Sequence, residues 1–180
     1  MHGLNTAGNV CLVGMMGAGK TTVGKKLAKK LDLRFVDLDH EIERHTGVSV
    51  ATIFEIEGET GFRERETNAL KQVIEAGNQI IATGGGAVLS AMNRAMLSGT
   101  GCVVYLQATA ELIYARTRHD TGRPLLQVTD PLARIRSLVS QRDSLYREVA
   151  DIVIESGKPQ GTLGNTIEAI ETALRLHSSR

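Results

Sequence analysis

The segment from Gly14 to Thr21 has the residue types and spacing of a loop that holds polyphosphates. It reads Gly-Met-Met-Gly-Ala-Gly-Lys-Thr, which matches the pattern Gly-x4-Gly-Lys-Ser/Thr. Glycines let backbone N–H groups turn toward an anion, and the following helix adds the positive end of its dipole. An apolar strand precedes the segment and a helical pattern follows it, which disfavours a simple glycine-rich turn. The predicted ATP-binding residues are Gly17, Ala18, Gly19, Lys20, Thr21 and Thr22. Lys20 would reach the β- and γ-phosphates and Thr21 would bind Mg²⁺.

Two carboxylates, Asp37 and Asp39, follow the apolar residues Phe35 and Val36. Residues two apart on a strand point to one face, so the sequence predicts that both face the cleft beside the phosphate loop. Such carboxylates could hold Mg²⁺ through water, accept a hydroxyl proton, or bind the hydroxyls of a polyol. The alternative is a pair of surface acids, one of them capping a helix that begins near His40.

Two arginines lie on or beside apolar helix faces. Arg142 falls within an apolar stripe and would need an anion, either a substrate carboxylate or an internal acidic residue. The stripe comprises Leu132, Ile135, Leu138, Val139, Tyr146 and Val149. Arg63 follows Phe62, which shares a face with Ala69, Leu70, Val73 and Ile74, and a surface charge is the alternative there.

Glycines and further arginines complete the set of candidates. Gly84, Gly85 and Gly86 follow an apolar run and suit either a tight turn or close approach of a ligand to the backbone. The polar stretch 116–129 contains Arg116, Arg118 and Arg123. We expect either a mobile lid that neutralises phosphate charge or a plain polar loop.

Short apolar runs alternate with helical patterns along the chain, which is typical of an α/β fold with a parallel sheet. Five strands are predicted, in the runs Val10–Val13, Leu33–Val36, Gln79–Ala82, Gly101–Leu106 and Asp151–Ile154. Asp130 and Pro131 form a typical helix start, and Gly77 ends the helix that contains Phe62. Ligands bind outside the carboxyl ends of such strands, where the candidate residues fall.

Length and composition are typical of one globular domain spanning residues 1–180. Residues 1–8 are small and polar, and we expect them to form a flexible tail. The formal charge of +1 gives no global field for nucleic acid or an anionic membrane, so we expect neither partner. Cys11 and Cys102 lie in apolar runs and are predicted to be buried thiols rather than a disulfide or metal site. No apolar run has membrane-spanning length, and no signal-peptide pattern is seen at the N-terminus. We expect a cytoplasmic monomer.

Five motifs in order resemble those of the shikimate kinase family. They are the phosphate loop, Phe35-x-Asp37-x-Asp39, Gly58-Glu59-x-x-Phe62-Arg63, Gly84-Gly85-Gly86, and Gly122-Arg123-Pro124-Leu125-Leu126, with Arg142-x-x-x-Tyr146 beyond them. The phosphate loop alone is generic, whereas the set together is specific. The resemblance implies a P-loop kinase fold of the nucleoside-monophosphate-kinase type, with a five-stranded parallel sheet and a lid.

The resemblance also implies residue roles. Asp39, Arg63, Gly84, Gly85, Gly86 and Arg142 would bind shikimate, with the two arginines on its carboxylate. Arg123 would reach the ATP phosphates, and Arg116 and Gln160 would lie near the adenine. The family has no acidic residue after the third strand, which leaves Asp37 as the partner of Mg²⁺. Lys20, Asp37 and Arg123 are the catalytic candidates, and Thr21 and Asp37 the metal candidates.

The sequence thus predicts an enzyme that phosphorylates the 3-hydroxyl of shikimate with ATP and Mg²⁺. The first alternative is another small-molecule kinase of the same fold, such as one for gluconate. The second is a nucleotide-dependent switch with slow hydrolysis. The carboxylate and arginine motifs disfavour the first, and the missing acidic and guanine-reading motifs disfavour the second.

Overall fold

A five-stranded parallel sheet forms the centre of the molecule. The computed structural model describes residues 8–120, 126, 128–157 and 163–178. The strands are β1 (Asn9–Val13), β2 (Arg34–Asp37), β3 (Gln79–Ala82), β4 (Gly101–Gln107) and β5 (Ile152–Glu155). Their order in the sheet is β2-β3-β1-β4-β5, with every pair parallel. The predicted strand number and direction are confirmed.

Helices connect the strands and cover the sheet. They are α1 (Lys20–Leu31), α2 (Leu38–Thr46), α3 (Val50–Ala76), α4 (Ala91–Ser98), α5 (Ala110–Thr117), α6 (Pro131–Val149) and α7 (Leu163–Ser178). A short 3-10 helix spans Ala87–Leu89. Gly58 interrupts α3 with a non-helical backbone, so α3 is two helical segments joined at a kink. Within the described residues, no helix combines the length and apolar character needed to span a membrane.

The sheet and the inner helix faces share one hydrophobic core. Every residue of β1 and β3 is buried, as expected for central strands covered on both faces. Cys11 and Cys102 are buried and unbonded to each other, as predicted. Burial raises the pKa of each thiol to about 12, with a further contribution from Cys102 for Cys11 and from Asp151 for Cys102.

Helix boundaries agree with the local signals in most places. Asp130 caps α6 by accepting a hydrogen bond from the Ala133 N–H, with Pro131 as the first helical residue. Gly77 ends α3, as predicted. The stripe on α6 also faces the core, since Ile135, Leu138, Tyr146 and Val149 are buried.

One boundary prediction is wrong. The stretch 116–129 was expected to be an excursion from its first residue, but Arg116 and Thr117 form the last turn of α5. Thr117 is buried and its hydroxyl donates to the Ile113 carbonyl, which holds this turn helical. Most of the predicted flexible tail, residues 1–7, lies outside the described residues, and Gly8 is half-buried.

Candidate active site

The loop between β1 and α1 is curved by three glycines with positive φ. Gly14, Gly17 and Gly19 have φ values of 143°, 74° and 103°, which other residues rarely adopt. Lys20 Nζ lies inside the curve and donates to the carbonyls of Gly14 (2.7 Å) and Met15 (2.9 Å). The lysine is only 8% exposed, so its charge is held within the loop.

The amino end of α1 is open toward the same space. Gly19 is the N-cap and has no side chain to cap the helix, and the first turn carries no acidic residue. The first N–H groups of α1 and the positive end of its dipole therefore face the cavity beside the loop. This arrangement favours an anion at the position that the sequence motif predicts.

A cavity of about 520 Å³ lies over this loop. The structure brings the predicted ATP-binding residues of the described chain together in its lining: Gly17, Ala18, Gly19, Lys20, Thr21, Thr22 and Arg116. The Arg116 guanidinium donates to the Gly17 carbonyl (3.0 Å) and lies 3.4 Å from Ser156 Oγ. Arg123 and Gln160 fall outside the described residues, so their roles stay predictions.

Thr21 and Asp37 meet at the edge of this cavity. The Thr21 hydroxyl donates to Asp37 Oδ2 at 2.7 Å. Asp37 also caps α2, since its Oδ1 accepts from the His40 N–H at 3.4 Å. The helix-cap alternative and the cleft prediction are therefore both realised in one residue.

The predicted geometry of Asp39 is wrong in one respect. β2 ends at Asp37, so Asp39 lies in the first turn of α2 and not on the strand. The cap made by Asp37 starts the helix immediately, before the strand can continue. Both carboxylates still line the cavity, because the helix begins at the carboxyl end of the strand.

A second cavity of about 310 Å³ adjoins the first. It is lined by all six predicted acceptor-site residues: Asp39, Arg63, Gly84, Gly85, Gly86 and Arg142. Met16, Asp39, Gly84 and Gly85 line both cavities, so ligands in the two spaces would meet at these residues. Phe54 and Phe62 form an apolar side of the second cavity, with ring centroids 4.6 Å apart.

Arg63 is an ion-paired residue of this cavity and not a free surface charge. Its guanidinium donates to Glu66 Oε2 (2.7 Å) and to Glu59 Oε1 (3.0 Å), while its side chain is 18% exposed. Burial lowers the pKa of Arg63, but Glu66 and Glu59 outweigh that effect and the pKa lies above its usual value. The guanidinium therefore carries a permanent charge at the cavity wall.

Arg142 is more deeply buried and has a different partner. It is 4% exposed, and its Nη1 donates to the Gly85 carbonyl at 3.3 Å. Among the described residues no carboxylate pairs with its guanidinium. Arg142 nevertheless helps to lower the pKa of Glu66, so the internal-acid alternative is realised in part without a salt bridge, and the guanidinium can also bind an external anion.

The half-buried carboxylate of Asp39 and the buried carboxylate of Glu66 face Arg63 and Gly84. Burial raises the pKa of Asp39, and the nearby Asp37 adds to this, although Lys20 and Arg63 oppose it. Burial likewise raises the pKa of Glu66, against the effect of Arg63. Asp39 Oδ1 and Glu66 Oε1 have no hydrogen-bond partner in the part of the chain that the structure describes. These oxygens are suited to accept hydrogen bonds from hydroxyl groups.

The three glycines after β3 are required by space and not by backbone conformation. None has a positive φ. A methyl group at Gly84 would lie 2.5 Å from Glu66 Oε1, and one at Gly85 would lie 3.1 Å from the Met16 backbone nitrogen. One at Gly86 would overlap the Arg63 guanidinium. The tight-turn interpretation is also realised, since the Ala87 N–H donates to the Gly84 carbonyl at 3.2 Å, and the close approach of a ligand to this backbone stays a prediction.

Sequence reasoning missed Glu66 and the hydrogen bond made by Tyr146. The Tyr146 hydroxyl donates to the Gly85 carbonyl, and burial raises its pKa to about 12, so the donor proton is retained. Glu66 lies four residues after Phe62 on the apolar face of α3. That position, an acid within an apolar stripe, was a usable signal, because the same reasoning found Arg142.

Comparisons with known proteins agree with this geometry. The family model described as shikimate kinase matches residues 16–171. A shikimate kinase of Nitrosospira multiformis is 61% identical over 84% of this chain and 77% of its own. One of Aromatoleum aromaticum is 54% identical over 92% of this chain and 94% of its own.

Solved structures give the same result. A shikimate kinase from Acinetobacter baumannii in complex with shikimate has a TM-score of 0.89 and 47% identity, covering 98% of this chain and 96% of its own. A gluconokinase from Sinorhizobium meliloti has a TM-score of 0.58 at 14% identity, covering 97% and 95% of the two chains. The second match shows a shared fold alone.

Proposed function

The chain belongs to the shikimate kinase family, and from this premise we propose that it transfers the γ-phosphate of ATP to the 3-hydroxyl of shikimate. The products are ADP and shikimate 3-phosphate. One observation carries the proposal from the chain itself. A buried guanidinium, that of Arg142, makes no salt bridge within the described residues and lines a cavity that adjoins a polyphosphate-binding loop.

The first cavity holds ATP. The phosphates lie in the curve of the loop and accept hydrogen bonds from its N–H groups and from Lys20. Lys20 exchanges its present carbonyl acceptors for the β- and γ-phosphate oxygens, which carry more negative charge. Arg116, fixed to the Gly17 carbonyl, lies at the end of the cavity where the base is expected.

The second cavity holds shikimate. Its carboxylate binds between Arg63 and Arg142, where fork-shaped guanidinium groups give charge-assisted hydrogen bonds. Asp39 accepts hydrogen bonds from ring hydroxyls, and Phe54 and Phe62 cover the apolar part of the ring. The residues shared by both cavities bring the acceptor hydroxyl toward the γ-phosphate, so alignment supplies much of the catalysis.

Thr21 and Asp37 provide only oxygen donors, 2.7 Å apart, at the edge of the phosphate loop. This donor set fits Mg²⁺, which prefers oxygen ligands, and we propose that these two residues hold it. When bound, Mg²⁺ neutralises charge on the phosphates. We also propose the Asp37 carboxylate as the acceptor of the proton of the acceptor hydroxyl. We propose that Arg123 adds a further positive charge at the transferred phosphate.

A coupled assay of ADP release tests the proposal. We expect ADP release with ATP and Mg²⁺ to depend on shikimate, and to be near background with gluconate or without an acceptor. Gluconate-dependent release would favour the other small-molecule kinase. Release that no acceptor increases would favour a nucleotide hydrolase or switch.

We further propose that the chain acts as a single-domain cytoplasmic monomer with no nucleic-acid or membrane partner. The support is the single hydrophobic core of the described residues and the two unbonded thiols. Size-exclusion chromatography with light scattering measures the state of assembly, and a dimer mass would contradict the monomer.

A further inference from the structure

A cysteine, an aspartate and a histidine meet at the edge of the sheet opposite the proposed active site. Cys102 is the second residue of β4, Asp151 directly precedes β5, and His177 lies in the last turn of α7. One possible ligand atom from each of the three lies within 4.8 Å of the others. Among the described residues, this is the one group of three such side chains gathered closely enough to share a metal ion.

Two of the three side chains are held in place by the sheet. Asp151 Oδ2 accepts a hydrogen bond from the Val103 N–H at 2.8 Å, and the Asp151 N–H donates to the Val103 carbonyl at 2.9 Å. Asp151 is therefore fixed beside the residue that follows Cys102. This clamp uses only one of the two carboxylate oxygens of Asp151, and the other can face a cation.

The electrostatic surroundings favour a cation at this point. The Cys102 side chain is buried, at 6% exposure, with the carboxylate of Asp151 beside it. The C-terminal turn of α7 adds the negative end of a helix dipole, which favours positive charge. A carboxylate, a thiol and a helix C-terminus therefore lie together at this point.

We propose that Cys102, Asp151 and His177 form a Zn²⁺ site that fastens the end of α7 to the sheet. Sulfur, nitrogen and oxygen ligands together suit Zn²⁺ and not Mg²⁺, which takes oxygen ligands. In a tetrahedral zinc site, neighbouring sulfur and nitrogen ligands lie roughly 3.6 Å apart. The ligand atoms lie within 4.8 Å of one another, so they must approach slightly to bind zinc. The His177 side chain can make this movement, because it is exposed and lies at the end of its helix.

Binding replaces the S–H bond of Cys102 with a sulfur–zinc bond, and the proton passes to the solvent. No electrons are transferred. Three protein ligands and a water complete the coordination. Since β4, β5 and α7 become joined at one point, the metal stabilises the packing of the C-terminal helix on the sheet.

Cobalt spectroscopy tests the site directly. Metal-free protein is titrated with Co²⁺, without nucleotide, and a thiolate-to-cobalt charge-transfer absorption is recorded. We expect one equivalent of Co²⁺ to produce the band and Zn²⁺ to displace it. Cys102→Ala removes the band, whereas Cys11→Ala, at the other buried thiol, retains it. An oxygen-only site such as that of Thr21 and Asp37 gives no thiolate band.

His177→Gln keeps the test valid if a change at Cys102 impairs folding, since His177 is exposed. We expect it to weaken Zn²⁺ affinity by about tenfold or more, while His45→Ala, at another exposed histidine, changes nothing. Zn²⁺ at roughly 100 times its Kd raises the Tm of the unsubstituted chain by about 5 °C or more, but not that of His177→Gln. Absence of the thiolate band, or equal zinc affinity in His177→Gln, would overturn the proposal.

Discussion

At the scale of single residues, the site is defined by charged side chains that are buried at some cost. Lys20 and Arg142 both donate to carbonyls of loops that face the ligand cavities. Asp39 and Glu66 each have one buried carboxylate oxygen with no hydrogen-bond partner among the described residues. Buried polar groups without full hydrogen bonding reduce the stability of a fold, so their presence indicates groups kept for a ligand.

Lys20→Ala removes the cation at the centre of the phosphate loop. We expect kcat to fall by about 10²–10³-fold or more, because charge developing on the transferred phosphate loses a preorganised donor. Steady-state ADP release measures this. Lys25→Ala, at an exposed lysine of the same helix, is the control and should leave kcat unchanged. A kcat near the unsubstituted value in Lys20→Ala would contradict the assigned role.

Arg142→Ala separates acceptor binding from nucleotide binding. We expect the KM for shikimate to rise by roughly 10- to 100-fold, as for loss of a charged hydrogen bond, with the Kd for ATP nearly unchanged. Kinetics and calorimetry measure the two quantities. Arg134→Ala, exposed on the same helix, is the matched control. Equal losses for both ligands would argue against a specific contact with the acceptor.

Asp39→Asn should weaken shikimate binding while stabilising the ligand-free protein. The pKa of Asp39 is raised by folding, so its ionised form costs stability near neutral pH. We expect a higher Tm for Asp39→Asn at pH 7, measured without ligand. The gain should shrink as the pH falls to the ordinary value of 3.8, because the native carboxyl is then protonated. A lower Tm at pH 7 would contradict this.

At the scale of elements, the turn after β3 connects the two cavities. α6 holds it, since Arg142 and Tyr146 both donate to the Gly85 carbonyl, and Tyr105 stacks on Tyr146 at 4.9 Å. The same turn also limits the space available to the Arg63 guanidinium, which packs against Gly86. Acceptor binding therefore depends on helices and loops that need not contact the acceptor themselves.

Gly86→Ala tests this dependence. The added methyl group overlaps the Arg63 guanidinium, and φ at Gly86 is −103°, so the backbone itself is not strained. Because the end of a flexible side chain can move, we expect a change in Tm of about 2 °C or less but a roughly tenfold rise in the KM for shikimate. Gly99→Ala is the control, since its methyl group would meet nothing closer than 3.6 Å. An unchanged KM in Gly86→Ala would contradict the account.

Tyr146→Phe tests the contact between α6 and the turn. Loss of one buried hydrogen bond should reduce the free energy of unfolding by about 1 kcal/mol. We also expect a severalfold rise in the KM for shikimate, because the Gly85 carbonyl is held less firmly. Urea unfolding and steady-state kinetics measure the two effects. If Tyr146→Phe lowers stability but leaves the KM for shikimate unchanged, the role of Tyr146 is purely structural.

Local sequence signals predicted most elements, because strands, caps and apolar faces depend on neighbouring residues. Asp130 with Pro131, and Gly77, fixed helix ends through their own chemistry. The strand prediction for Asp39 fails because the alternation of apolar and polar residues does not show that β2 ends at Asp37. The capping bond to His40 is a competing local interaction that periodicity does not reveal.

At the scale of the whole molecule, the order of the strands assembles the site. β1 lies between β3 and β4, so the loops that follow β1 and β3 emerge side by side. This is why Gly85 lies against the Met16 backbone. The motifs predicted which residues take part, and the resemblance predicted their grouping. The ion pair of Arg63 with Glu66 and the close contacts of the three glycines depend on packing, which sequence spacing alone does not specify.

The central claim is that one space holds an anion-binding loop opposite two guanidinium groups that grip the acceptor acid. A crystal structure with shikimate and a non-hydrolysable ATP analogue tests it most directly. The account predicts hydrogen bonds from Arg63 and Arg142 to the shikimate carboxylate, with the 3-hydroxyl directed at the γ-phosphate. Shikimate bound elsewhere, with Arg142 donating only to Gly85 and Arg63 only to Glu59 and Glu66, would contradict it.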